Sequence, residues 1–295
     1  MVNDNFTNDK GAVAKGAFVV WQVSEFDSKH VPDLLAVEEP LEIRVSFNTG
    51  SVRETKSISV TMRTPGDDEA LAVGFLYTEG IISEQTKFEH RTSNFVVCGE
   101  GNENTIVIHV ASDCPINLKQ ADRNFYTTSS CGVCGKSSIA AIRTVSSPRS
   151  YESEIIVKKE ILTQLPAIMK NHQVIFSSTG GLHACGLFDP DGKLIDIKED
   201  VGRHNALDKL IGSAFLKGRV ELSDHILLLS GRASFELIQK AAMAGIRIVA
   251  SIGAPSSLAV SLAAEFNITL VGFLRPKSFN LYTGLERIKE NENTH

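Results

Sequence analysis

Three short apolar runs near the C-terminus constrain this chain most: H-I-L-L-L-S from His225, R-I-V-A-S-I from Arg247 and I-T-L-V-G-F from Ile268. Each is only a few residues long and apolar nearly throughout, the pattern of a strand buried on both faces. Helical patterns separate them, from about Ser234 to Ala244 and from about Ser257 to Phe266. Strand and helix in alternation imply an α/β unit with a mixed sheet that has a large parallel part, and with helices on both faces. Upstream in the same unit the sequence predicts a helix over Ile155 to Lys170, a strand V-I-F-S-S from Val174, and a turn T-G-G at Thr179. A strand L-H-A-C-G-L-F, the hairpin turn D-P-D-G, a strand K-L-I-D-I and a helix beginning at His204 follow.

The first half reads differently. L-E-I-R-V-S-F from Leu41 and S-I-S-V-T-M-R from Ser57 alternate apolar and polar residues, as half-buried strands do. Acidic residues open a helix after Asp67, and Gly80 suits its C-terminal end. Further strands are expected at Ala17 to Val23, in N-F-V-V-C from Asn94 and in T-I-V-I-H-V from Thr105. S-S-P-R-S at Ser146 to Ser150 is the one composition shift resembling a linker. The organisation expected is an N-terminal extension (1–37), an α+β unit (38–148) and a second α/β unit (149–295).

A net charge of −5 on 295 residues argues against a nucleic-acid-binding surface. No apolar run approaches the roughly 18 residues that cross a bilayer, and the polar start lacks a secretory pattern, so a cytoplasmic location without membrane insertion is expected. Five cysteines would there stay mostly reduced.

Two of them, Cys131 and Cys134, form a C-x-x-C pair in T-T-S-S-C-G-V-C-G-K-S-S, followed by Lys136 and an apolar helical run. Positive charge near sulfur stabilises the nucleophilic thiolate, and the flanking glycines allow close approach. A zinc site needs four ligands, and Cys98 and Cys114 are spaced singly, so packing explains them better. The readings left open are a sulfur-carrying thiol, a thiol-disulfide redox pair, and a non-catalytic binding module with the cysteines on zinc.

Glycines and polar residues collect at the strand ends of the second unit: Gly181 with His183, Arg203 with His204, Ser230 with Arg232, S-I-G-A-P-S from Ser251, and F-L-R-P-K-S from Phe273. The carboxyl ends of parallel strands form the usual ligand crevice, and helix N-termini there suit anions. No complete nucleotide fingerprint is present; Ser130 stands where a Walker A loop needs glycine. Each cluster also has a structural reading: a turn at T-G-G, a surface ion pair between Asp200 and Arg203, and helix caps at Ser230 and Ser234. His204 is the best acid/base candidate, His109 and His225 read as structural, and His183 with Cys185 lacks a third metal ligand.

The motifs L-A-V-G-F-L-Y-T-E-G-I-I, S-S-C-G-V-C-G-K, S-T-G-G-L-H-A, E-D-V-G-R-H-N-A-L-D-K and S-G-R-A-S-F-E, spread from about Glu39 to Tyr282, resemble the FdhD family of formate dehydrogenase accessory sulfurtransferases. The resemblance implies a sulfur carrier that takes sulfur from a cysteine desulfurase as a persulfide on Cys131, with Cys134 assisting. Its acceptor would be the molybdenum or tungsten of a bis-molybdopterin guanine dinucleotide cofactor destined for formate dehydrogenase. It further implies cofactor binding by Phe273, Leu274, Arg275, Pro276, Lys277 and Ser278, a second domain resembling the cytidine deaminase fold, and a homodimer. The H-x-E and P-C-x-x-C zinc ligands of a deaminase are missing, so zinc deamination is not implied. Cys185 stands where small alanine-like residues are expected and adds a thiol near the crevice.

Overall fold

The computed structural model describes residues 14–94, 104–117 and 155–289. Cys98, the Cys131–Cys134 motif, the helix after it, the Ser146–Ser150 linker and the strand expected beyond Asn94 lie outside these residues.

Elements are numbered along the described chain. β1 (Lys15–Val23) and β2 (Ser28–Ala36) form a two-stranded antiparallel ribbon. β3 (Glu39–Thr49), β4 (Val52–Arg63), β5 (Phe88–Asn94) and β6 (Thr105–Val110) form a sheet of order β4-β3-β6-β5, with α1 (Asp68–Thr78) inserted between β4 and β5. The alternation read from Leu41 places Leu41, Ile43, Val45 and Phe47 in the core. α1 ends as expected, with Gly80 in the left-handed region at φ 69°.

The second unit contains β7 (Val157–Lys158), α2 (Lys159–His172), α3 (Val174–Thr179), β8 (His183–Phe188), β9 (Leu194–Asp200) and α4 (Arg203–Leu216). It continues with β10 (Ile226–Leu229), α5 (Phe235–Met243), β11 (Ile248–Ser251), α6 (Ser257–Glu265), β12 (Thr269–Arg275), β13 (Ser278–Thr283) and β14 (Ile288–Lys289). Six strands make one mixed sheet of order β13-β12-β11-β10-β8-β9. β10, β11 and β12 run parallel, while β8, β9 and β13 run antiparallel to their neighbours.

The three constraining runs are these parallel strands, and their burial explains their uniform hydrophobicity. Leu227, Leu229, Val249 and Leu270 face a core shared with Leu210 of α4, Ile238 of α5 and Leu262 of α6. Ile226, Leu228, Ile248, Ala250 and Val271 face the opposite core, where α2 buries Leu162, Leu165 and Met169. The sheet is thus covered on both faces. The first of these cores also contains Leu41, Ile43, Leu71, Leu76, Ile106 and Ile108, so the two units share one apolar interior.

α1 and α4 cross at glycines. A Cβ built on Gly74 would fall on the backbone carbonyl oxygen of Asp208, and one on Gly212 on that of Ala70.

Two expectations need correction. V-I-F-S-S is not a strand but α3: the carboxylate of Glu199 accepts from Ile175 N and Phe176 N, the Ser177 hydroxyl bonds back to the Gln173 carbonyl, and Gly180 closes the turn at φ 69°. Side-chain bonding to local backbone offsets the β-propensity of Val-Ile-Phe. The helix expected from Ile155 begins at Lys159, because Val157 and Lys158 pair with Ile288 and Lys289. The sheet is mixed, as expected, with three of its six strands parallel and antiparallel hairpins at the edges.

Candidate functional site

The loops leaving β10 and β11 run in backbone contact. Ile252 N donates to the Leu229 carbonyl at 3.0 Å and Gly253 N to the Gly231 carbonyl at 2.9 Å. A Cβ on Gly253 would meet Gly231 and Arg232 backbone atoms at 2.9 Å, so only glycine lets these loops touch. The Ser230 hydroxyl accepts from Ala184 N at 2.8 Å, and Ser230 N donates to the Ala184 carbonyl at 3.0 Å, fixing the loop to β8. These contacts shape a cleft of about 590 Å³ that brings together Gly181, His183 and Ser230, walled by Ile252 and by Lys170 and Phe176. Lys170 of α2 and Phe176 of α3 were not sequence candidates; α3 was read there as a strand.

Arg203 opens α4 beside this cleft, and the turn before it is held by Asp200. That carboxylate, wholly buried, accepts from Gly202 N at 2.8 Å, Asn205 Nδ2 at 3.1 Å and Thr64 N at 3.1 Å, and pairs with Lys209 Nζ at 2.7 Å. Lys209 also donates to the Thr64 carbonyl at 2.7 Å, and Asn205 Nδ2 to the Met62 carbonyl at 2.7 Å. The expected surface ion pair between Asp200 and Arg203 is therefore replaced by a buried Asp200–Lys209 pair that clasps the β4–α1 junction. Arg203 Nε is shielded from solvent with no hydrogen-bond partner among the described residues. Burial, and then the Arg203 charge, hold the His183 imidazole below the usual histidine range, with Asp200 opposing.

His204 Nε2 lies 3.4 Å from Ser234 Oγ and 3.9 Å from Glu236 Oε2. Serine and carboxylate meet the same ring nitrogen, whereas a nucleophile–base–acid relay places the acid on the other one. Ser256 caps α6, its side chain accepting from Ala259 N. Cys185 is buried between Ala184 and Gly186; burial raises its thiol pKa far above the ordinary range and the Asp208 and Asp200 carboxylates add to this, so it stays protonated and inert.

The segment from Phe273 to Ser278 forms the bulged hairpin between β12 and β13. Phe273 adopts φ 52° and donates its N–H to the Gly253 carbonyl at 3.0 Å, and the residue is 42% exposed beside the paired loops. Arg275 Nη1 donates to the Ile252 carbonyl at 2.7 Å and the Leu274 carbonyl at 2.9 Å, tying the hairpin to the cleft wall. Leu274 is buried in the α2-side core, whereas Arg232, Pro276 and Lys277 are exposed. Lys277 and Ser278 do not line the first cleft; with Lys159, Thr163 and Phe279 they line a second depression of about 330 Å³.

This sheet-end geometry, an anion-suited cleft with an exposed aromatic beside it, can be set beside known proteins. The FdhD/NarQ family matches residues 36–289. A protein named sulfur carrier protein FdhD from Streptomyces coelicolor is 48% identical over 264 residues, 87% of this chain and 89% of that protein. One of the same name from Picrophilus torridus is 43% identical over 276 residues, 94% of this chain and 98% of that protein. In fold, the crystal structure of a proposed formate dehydrogenase accessory protein from Desulfotalea psychrophila superposes with a TM-score of 0.68 at 23% identity, covering 94% of this chain and all of that one. With a match spanning both units and relatives this similar over most of their length, the chain belongs to the FdhD/NarQ family.

Proposed function

We propose that this protein is a sulfur carrier serving formate dehydrogenase, that Cys131 carries the sulfur as a persulfide, and that the sheet-end clefts hold the acceptor, a bis-molybdopterin guanine dinucleotide of molybdenum or tungsten. The observation that carries this reading is that the family match, residues 36–289, encloses both the Cys131–Cys134 pair and the clefts. Loading proceeds by attack of the Cys131 thiolate on the outer sulfur of a cysteine desulfurase persulfide; a new S–S bond forms and the desulfurase thiolate leaves. Cys134 assists, either resolving the persulfide or tuning its charge.

The acceptor enters as cargo. Its phosphates fit the Arg203 guanidinium with its unpartnered Nε, with the neutral His183 imidazole as a hydrogen-bond partner, and its flat rings fit the exposed Phe273. The same reading takes the second unit as related to the cytidine deaminase fold, the protein as a cytoplasmic homodimer, and formate dehydrogenase as the recipient. Among the described residues no helix is long and apolar enough to cross a membrane.

Incubation with a cysteine desulfurase and cysteine, followed by peptide mass analysis, tests the carrier step. The expected result is one added sulfur on the Cys131 peptide, absent in Cys131→Ala. Failure of the wild type to load, or equal loading of the variant, overturns it. Zinc bound stoichiometrically and lost in Cys134→Ser would favour a binding module instead.

A further inference from the structure

α2 lies against both depressions. Lys170 and Pro166 line the cleft that contains His183 and Ser230, and Lys159 and Thr163 line the depression that contains Lys277 and Ser278. The spacing 159, 163, 166, 170 is i, i+4, i+7, i+11, which on a helix is one narrow stripe. It lies about a quarter turn from the face on which Leu162, Leu165 and Met169 are buried, so the core residues are not diverted to it. At 1.5 Å rise per residue, the stripe's two lysines are separated by about 16 Å along the axis. Both are exposed, and neither forms an ion pair with a carboxylate among the described residues. Glu160 also borders the second depression, which makes that end less cationic than the first. The two depressions are bridged on the far side by the Arg275 bond to the Ile252 carbonyl, since Ile252 lines the first and the hairpin after Arg275 lines the second.

We propose that this stripe of α2 is the second wall of a single elongated site, with Lys170 and Lys159 each taking one anionic end of an extended ligand. A ligand with one phosphate-bearing end engages one lysine; a ligand with two such ends, spaced to match, engages both. The inference rests on the proposed acceptor only in its ligand class, because a cofactor bearing two guanine dinucleotides is such a two-ended polyanion. It adds the residues that receive it, on a helix none of the sequence motifs contains.

The experiment compares guanosine diphosphate, diguanosine pentaphosphate and inorganic polyphosphate as ligands of the full chain by calorimetry, in wild type, Lys159→Ala, Lys170→Ala and the double variant. Linking two ends makes the second contact intramolecular, so diguanosine pentaphosphate should bind the wild type more than tenfold tighter than guanosine diphosphate. Each single variant should erase most of that advantage, and the double variant should bind the two nucleotides alike. Equal affinity of both nucleotides for the wild type, or single variants within twofold of it, overturns the proposal. If the wild type takes neither nucleotide but binds polyphosphate, with loss in both single variants, the guanine reading fails and the two-ended site stands. If it binds none of the three, the site is overturned as well. Both lysines are exposed on α2, and unchanged melting temperatures confirm that the variants fold.

Discussion

Phe273 is held at φ 52°, a region that costs a non-glycine residue on the order of 1–3 kcal/mol, and it is exposed instead of buried. A residue that carries strain without contributing to the core fits a role in contact with ligand. Phe273→Gly should therefore leave the melting temperature unchanged or slightly raised while weakening guanosine diphosphate binding at least tenfold; a parallel loss of stability and binding would show the ring to be structural. His183 gives a pH signature. Its folded pKa lies below the unfolded value, so the unfolded chain takes the proton first and folded stability declines as pH drops below about 6.5. Protonation also adds positive charge to the cleft, so an anion binds more tightly as pH falls, by up to about tenfold per pH unit. Titrations between pH 5 and 8 should show this slope in the wild type and a flat profile in His183→Gln. The clustering of Gly181, His183 and Ser230 was legible in the sequence, because glycines and small polar residues after buried strands have few other uses. Lys170 and Phe176 were not legible, since a solvated lysine stripe and a short apolar run carry no signal until neighbouring strands give them a facing wall.

Among the elements, the turn between β9 and α4 depends on Asp200 and Lys209, which neutralise one another inside the protein and reach Thr64 across more than a hundred residues of sequence. Asp200→Asn strands a buried ammonium and should cost about 3–5 kcal/mol by urea denaturation, whereas Asp200→Asn with Lys209→Met should recover most of it. If the double variant is no more stable than the single, the charge is not what the pair supplies. Gly212→Ala should cost about 3 kcal/mol, the upper end for overpacking, because the obstacle is the α1 backbone and not a side chain that can turn aside. The parallel strands were readable as continuous apolar runs, and the D-P-D-G hairpin as turn chemistry. α3 was misread because its helix is held by Glu199, a partner some two dozen residues away that no local pattern reveals. β2 escaped notice because S-K-H-V-P-D-L-L-A neither alternates nor packs, its register coming from pairing with β1.

For the molecule as a whole, a boundary read from composition and a core read from packing give different pictures. S-S-P-R-S resembles a linker, yet Leu41, Ile106, Leu210 and Leu270 belong to one apolar interior. The two units should accordingly melt in a single transition with equal calorimetric and van't Hoff enthalpies; two resolved transitions would show that the shared core does not couple them. No local residue pattern announces such a union: α1 and α4 are buried on nearly every side, and a sequence pattern does not say which element covers them. The contact at Gly74 and Gly212 joins α1 of one unit to α4 of the other, and its obstacle on each side is main chain. Trimming a nearby side chain cannot make room for a methyl group at either glycine. A search for second-site revertants of Gly74→Ala should consequently return true revertants and changes that stabilise the protein globally, but no compensating substitution on the facing helix. The two positions are in this sense mutationally isolated, each closed to drift no matter what its partner becomes.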